Sequence, residues 1–278
     1  VASFVPPDQV GFSLGLMQMA VYTGFSIGPL VGGVIADQLG YRWTFGLTGL
    51  LLLIAGILVL FVIQEKFERP RNKYEQSGLG DSLHAITNSW PMLGAIVALG
   101  GVYLANFSPQ PIIPLFVESL QQSVLLINTT TGTVYGANAL ASAISAALIG
   151  RLSDRVGYRT TLLACSLGAI VTYIGQAVTP NLSILIAASF TTGLFTGGIL
   201  PAANAILAHA APRENQGVIY GISNSVNAGG RALGPLLGAT FATFWGLRAA
   251  FWTAAALFIF VLAWVALVIR AQPQAATD

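Results

Sequence analysis

The chain has 278 residues, 55% hydrophobic and 8% charged, with 12 Lys+Arg against 10 Asp+Glu. A soluble domain carries about 25% charged residues to hydrate its surface, so composition excludes an ordinary water-soluble enzyme, and a net charge of +2 gives no basic field for nucleic acid. The lone Cys165 and two isolated histidines exclude a disulfide scaffold and a clustered metal site.

The mean hydropathy of +0.74 makes lipid the expected solvent. A helix needs about 20 apolar residues to cross the hydrocarbon core, and backbone groups in lipid must pair internally. The charge-poor stretches therefore predict an all-α polytopic membrane protein with eight helical spans, near 13–36, 43–63, 91–117, 124–149, 160–178, 182–209, 217–244 and 249–269.

The first span carries Gln18 and the series Gly24-Phe-Ser-Ile-Gly28-Pro29-Leu-Val-Gly32-Gly33. Gly24, Gly28 and Gly32 share a helical face that would admit a close neighbour, and Pro29 removes a donor and bends the helix. Asp37 and Arg42 follow, as an exposed ion pair or interfacial anchors. The polar segment 64–90 reads as a linker. In the third span Tyr103, Asn106 and Gln110 share a face, and Pro109, Pro111 and Pro114 break the helix by bending or capping it. Tyr135, Asn138 and Ser142 form a similar stripe in the fourth.

Between the fourth and fifth spans stands Gly150-Arg-Leu-Ser-Asp154-Arg155-Val-Gly157-Tyr-Arg159. Gly157 permits a tight turn, Asp154 offers a carboxylate and the arginines offer forked donors. Asn204 and His209 of the sixth span suit hydrogen bonds between helices. In the seventh, Tyr220, Asn224, Asn227 and Arg231 fall on one stripe, a polar face directed at a cavity. Arg231 is the only charge in mid-span, which is costly unless it meets protein or water. It would attract an anionic group or a carboxylate of another helix, or serve as a buried structural arginine.

Positive charge sets the expected orientation. Lys66, Arg69, Arg71, Lys73, Arg151, Arg155, Arg159, Arg213 and Arg270 lie on one side, and Arg42 and Arg248 on the other. The richer side, with the linker and the C-terminal tail, is expected in the cytoplasm.

Shifting the sequence by 206 positions aligns 6–63 with 212–269 without a gap. Gly24, Gly28, Pro29, Gly32, Gly40 and Arg42 then meet Gly230, Gly234, Pro235, Gly238, Gly246 and Arg248. The first two spans thus recur as the last two in the same topology. A parallel repeat of six-helix halves makes 1–63 the last two helices of an N-terminal half, 64–90 a cytoplasmic linker, 91–270 a C-terminal half and 271–278 a tail. On that basis the chain is expected to be a fragment covering helices five to twelve.

This repeat and the 150–159 motif resemble the major facilitator superfamily, and the Gly-Pro series of the first span resembles the fifth-helix signature of its drug:proton antiporters. The resemblance implies a bacterial cytoplasmic-membrane exporter of small amphipathic compounds, with protons as the coupling ion, no cofactor, and one copy as the working unit. It also implies that Gly150, Asp154, Arg155, Gly157 and Arg159 form a conformational switch. There Asp154 would meet the start of the first span near Asp8 to Gly11; a plain positive-inside anchor is the alternative. Gly24, Gly28, Pro29, Gly32 and Gly33 would form the packing face between halves. Gln18, Tyr103, Asn106, Gln110, Tyr135, Asn138, Asn224, Asn227 and Arg231 would line the cavity. No mid-span Asp or Glu is visible, which places a proton-carrying carboxylate in upstream helices. An uptake carrier for sugars or other metabolites shares the fold and the 150–159 motif. A receptor or scaffold would not show the parallel repeat. No enzyme motif is present.

Overall fold

The computed structural model describes residues 10–62, 86–121, 126–210 and 216–269, leaving aside the side chains of 10–19, 62, 151, 154, 155, 208–210 and 216. Regular structure among them is helical: α1 (Val10–Leu39), α2 (Tyr41–Val62), α3 (Trp90–Phe107), a 3-10 turn (Gln110–Ile112), α4 (Ile113–Leu120), α5 (Ile127–Val156), α6 (Tyr158–Val178), α7 (Leu182–Ala210), α8 (Gln216–Trp245) and α9 (Ala249–Val268).

Seven segments of the described residues are long and apolar enough to cross a membrane, α3 and α4 counting together as Trp90–Leu120. The eighth expected span is α8. It has 30 residues and so the length, but it carries Asn224, Asn227 and Arg231 and is not among the seven. The prolines interrupt the third span: α3 ends at Phe107, and Pro109 and Pro111 confine the next residues to a 3-10 turn before α4 starts. The Tyr135 hydroxyl donates to the Gln110 carbonyl at 2.6 Å, satisfying an acceptor of the broken segment.

The core lies among α3, α4, α6, α7 and α9, where Leu99, Phe116, Leu162, Leu185, Phe251 and Phe258 are fully buried. Phe116 packs on Phe251 with centroids 5.0 Å apart, and Tyr173 stacks on Phe258 at 5.6 Å. Along α2, by contrast, Leu50 to Phe61 are exposed throughout.

The sequence repeat reappears as geometry. α1 and α8 each have 30 residues, with a proline inside at Pro29 and Pro235. Each ends at a left-handed glycine, Gly40 at φ 88° and Gly246 at φ 87°, a conformation that a Cβ would strain. Arg248, just beyond, donates from Nη1 to Ala177 O at 2.8 Å and from Nη2 to Thr179 O at 2.9 Å. It thereby caps the C-terminal end of α6, where carbonyls lack helical partners. Hydrogen bonds from a charged donor contribute about 1.5–3 kcal/mol, so Arg248→Ala is expected to lower the thermal midpoint by roughly 3–12 °C, measured by tryptophan fluorescence on the purified protein.

The 150–159 motif is less of a loop than its spacing suggests. α5 continues through it to Val156, a single residue, Gly157 at φ 94°, turns the chain, and α6 starts at Tyr158. No residue between Gly150 and Gly157 breaks a helix, and Ser153 Oγ donates back to Gly150 O at 2.6 Å.

Candidate functional site

Two helix pairs carry the residues singled out in the sequence, α8 on α3 and α1 on α5. In the first, glycines bring the backbones together. A Cβ at Gly230 would lie 2.7 Å from Gly100 O, one at Gly234 would lie 2.7 Å from Leu104 O, and one at Gly238 would fall on Ser108, with its Oγ 2.8 Å away. Arg231, one residue off this line, cannot enter the contact, so its guanidinium turns across the edge onto α3. It sits 4.4 Å from the centroid of Tyr103 and 5.8 Å from that of Phe107, rings themselves 6.3 Å apart. A cation over aromatic faces is held by their quadrupoles.

Asn224 is exposed, while Asn227, one turn from Arg231, is 8% exposed and its Oδ1 has no hydrogen-bond partner among the described residues. Tyr103 and Arg231 therefore come together, with Asn224 and Asn227 along the same helix. Other members of the expected lining bind neighbouring helices. Asn106 Oδ1 accepts from Tyr173 Oη at 2.9 Å, and Asn138 Nδ2 donates to Ser189 O at 2.9 Å. Tyr135 is spent on Gln110, whose carbonyl it holds. Ser142 follows the same pattern, donating to Asn138 O at 2.9 Å and Gly193 O at 3.2 Å, close to the buried pair Gln176–Thr192. The side chains of Gln18 and His209 lie outside the described residues, and Asn204 is exposed.

In the second pair, α1 meets α5 along Ser26, Pro29, Leu30, Gly33 and Asp37. Ser26 Oγ donates to Gly136 O at 3.1 Å. A Cβ at Gly132 would lie 2.8 Å from the Pro29 carbonyl carbon, and one at Gly33 would lie 2.7 Å from that of Asn128. The expectation that Gly24, Gly28 and Gly32 form this close approach is corrected: Gly24 and Gly28 have nothing within 4 Å, and Gly32 has only Thr44 Cγ2 at 3.7 Å. They lie on another face of α1. Of the five motif residues Gly24, Gly28, Pro29, Gly32 and Gly33, Pro29 and Gly33 are the two that touch α5.

Asp37 does not pair with Arg42. Its carboxylate accepts from the Thr129 N–H at 2.6 Å, the Asn128 N–H at 3.3 Å and Asn128 Nδ2 at 2.8 Å, and Tyr41 Oη donates to Asn128 Oδ1 at 3.0 Å. These are orphan amides at the start of α5, whose own cap position, Leu126, has no acceptor side chain. A carboxylate on one helix thus caps another, with the dipole adding attraction. Sequence reasoning overlooked this latch and the Gly132-x-x-x-Gly136 series opposite Ser26, Pro29 and Leu30, although that series is itself a small-residue packing signal.

Within the 150–159 motif, Arg159 Nη2 donates to Ala266 O at 3.0 Å, in the last turn of α9. The side chains of Asp154 and Arg155, and residues 8 and 9, lie outside the described residues. A groove of about 600 Å³ lined by Leu237, Phe241, Trp245, Arg248 and Trp252 lies at the far end of α8, away from Arg231. Its Trp and Phe residues suit a membrane interface.

Comparison with known proteins shows that residues 1–128 and 95–278 match the model of the Major Facilitator Superfamily. An uncharacterized MFS-type transporter, YuxJ, of Bacillus subtilis is 32% identical over 259 residues, covering 93% of this chain and 66% of that protein. Multidrug resistance protein MdtG of Escherichia fergusonii is 30% identical over 279 residues, covering 99% and 67%. The multi-drug resistance efflux pump PmrA homolog of Lactococcus lactis is 28% identical over 250 residues, covering 90% and 62%. The chain spans about two-thirds of the length of these relatives.

Proposed function

Because the chain belongs to the Major Facilitator Superfamily, we propose that it is the larger part of a secondary carrier that exports small amphipathic compounds in exchange for protons by alternating access. Residues 1–63 would close the N-terminal half, 64–90 would link the halves and 91–270 would form the C-terminal half. The carrier would lie in a bacterial cytoplasmic membrane, with linker and tail cytoplasmic, and would work as a single copy. The observation that carries this reading is the recurrence of α1 and its glycine turn as α8 and its glycine turn, since a parallel repeat gives two comparable bodies able to rock about a midplane site. The names of two relatives favour efflux over uptake.

In this scheme α1 and α5 belong to opposite halves, and their contact is a seam that closes on one side of the membrane. The Asp37 latch holds its end. Gly150, Asp154, Arg155, Gly157 and Arg159 would be the switch on the opposite side. Gly24, Gly28 and Gly32 correspond to the glycines that seat α8 on α3, so upstream helices would cover them. Gln18, Tyr103, Asn106, Gln110, Tyr135, Asn138, Asn224, Asn227 and Arg231 remain candidates for the pathway, with Tyr103, Asn224 and Arg231 the best placed.

Removing the latch should favour the open seam. A helix cap is worth about 0.5–2 kcal/mol, so Asp37→Ala is expected to raise maleimide labelling of a Leu30→Cys reporter about twofold to thirtyfold in the full-length protein carrying Cys165→Ser. An unchanged labelling rate would argue against the latch. The function itself is tested in everted vesicles holding the full-length protein, where ethidium should dissipate a respiration-generated pH gradient, read by a pH-sensitive dye. A gradient indifferent to ethidium and to other exported compounds, with sugar uptake instead, would replace efflux by the uptake alternative.

A further inference from the structure

Arg231 stands at the middle of the 30-residue α8, a depth at which a charge persists only when something answers it. Its side chain is exposed on the open face of the helix. Among the described residues it makes neither an ion pair nor a hydrogen bond. The carboxylates whose side chains are described, Asp37 and Glu118, lie near the ends of α1 and α4. What positions the guanidinium is the pair of rings of Tyr103 and Phe107. Rings grip the flat face of a guanidinium and leave its edge, which carries the N–H donors, free for a forked acceptor. One turn away, the buried Asn227 keeps an unanswered amide oxygen, and Asn224 is exposed one turn beyond.

We propose that Arg231, Tyr103 and Phe107 form a subsite for the anionic group of an amphipathic substrate, a carboxylate or sulfonate attached to a flat apolar body. The acid group takes the guanidinium edge in two parallel hydrogen bonds, and the apolar body lies along the exposed edges of the two rings. Asn224 supplies an amide beside the acid. The subsite rests on the carrier reading above and adds compounds bearing negative charge to those it would carry. A carboxylate on an upstream helix competes for the same edge, and the experiment separates the two.

Purified full-length protein is dialysed against radiolabelled 2-naphthoate and its uncharged counterpart 2-naphthamide, with detergent-only controls. The wild type should bind naphthoate at least tenfold more tightly than naphthamide. Arg231→Gln should abolish that preference, weakening naphthoate tenfold or more and changing naphthamide less than twofold. Arg231→Lys keeps the charge without the planar fork and should fall between them, which preserves the test if the glutamine variant does not fold. Equal affinities in the wild type, binding of neither probe, or an equal loss of both in Arg231→Gln and Arg231→Lys would overturn the subsite, the last being the mark of a broken internal ion pair. The carrier reading fails separately, if the wild type exchanges no proton for any exported compound. Ethidium-driven exchange without a naphthoate preference keeps the carrier and removes the subsite.

Discussion

Gly132→Ala is expected to cut drug-driven proton exchange by the full-length protein at least tenfold while leaving the amount in the membrane unchanged. The added methyl would press on the Pro29 carbonyl and on Leu30 Cα, 3.3 Å away, all backbone atoms that no side-chain rotamer can move aside. Overpacking of this kind costs about 1–3 kcal/mol. The cost falls on the state in which α1 and α5 touch, so it biases the two-state equilibrium by about 5- to 150-fold toward the open seam. A carrier held in one state turns over slowly. Gly175→Ala, which meets nothing within 4 Å, is the control and should leave exchange intact. Equal rates for Gly132→Ala and Gly175→Ala would show that the seam takes no part in turnover.

Gly238→Ala should act on stability instead. Its Cβ would strike the Ser108 backbone inside what is proposed to be one half, a contact that both states of the cycle share. The expected loss is about 2–3 kcal/mol, or roughly 4–12 °C in thermal midpoint for a chain of this size, followed by reduced yield. Gly229→Ala, nine residues earlier on the same helix with nothing within 4 Å, should be neutral or slightly stabilising, because alanine favours a helix over glycine by about 1 kcal/mol. A Gly238→Ala protein as stable as the wild type would contradict the close seating of α8 on α3.

The helices and their repeat were legible from charge gaps and from glycine and proline order, because lipid enforces both. The span expected at 182–209 is α7 (Leu182–Ala210), and the one at 249–269 is α9 (Ala249–Val268). Which face meets which helix was less legible. Gly24, Gly28 and Gly32 are evenly spaced and drew attention, yet α5 rests on the neighbouring stripe of Ser26, Leu30 and Gly33, and nothing local distinguishes the two faces. The length of the 150–159 connection misled for a related reason: polar residues mark the end of the membrane, not the end of the helix. The Asp37 latch was illegible because two of its three donors are backbone amides 91 and 92 residues away, which carry no residue-type signature, and the third, the Asn128 side chain, is equally remote in sequence. Arg231 was legible as an anomaly of depth. Its aromatic platform was half legible, with Tyr103 placed on the polar stripe and Phe107 unmarked.

The alternating seam is tested most directly by distance. With Cys165→Ser as background, spin labels at Leu39→Cys and Leu126→Cys, both at exposed positions beside the Asp37 latch, report the separation of α1 and α5 in the full-length protein by pulsed dipolar spectroscopy. The expected result is a short distance in one condition and growth of a second, longer population when pH or an exported compound is changed. A single unchanged distance in protein that is actively exchanging protons for drug would contradict it.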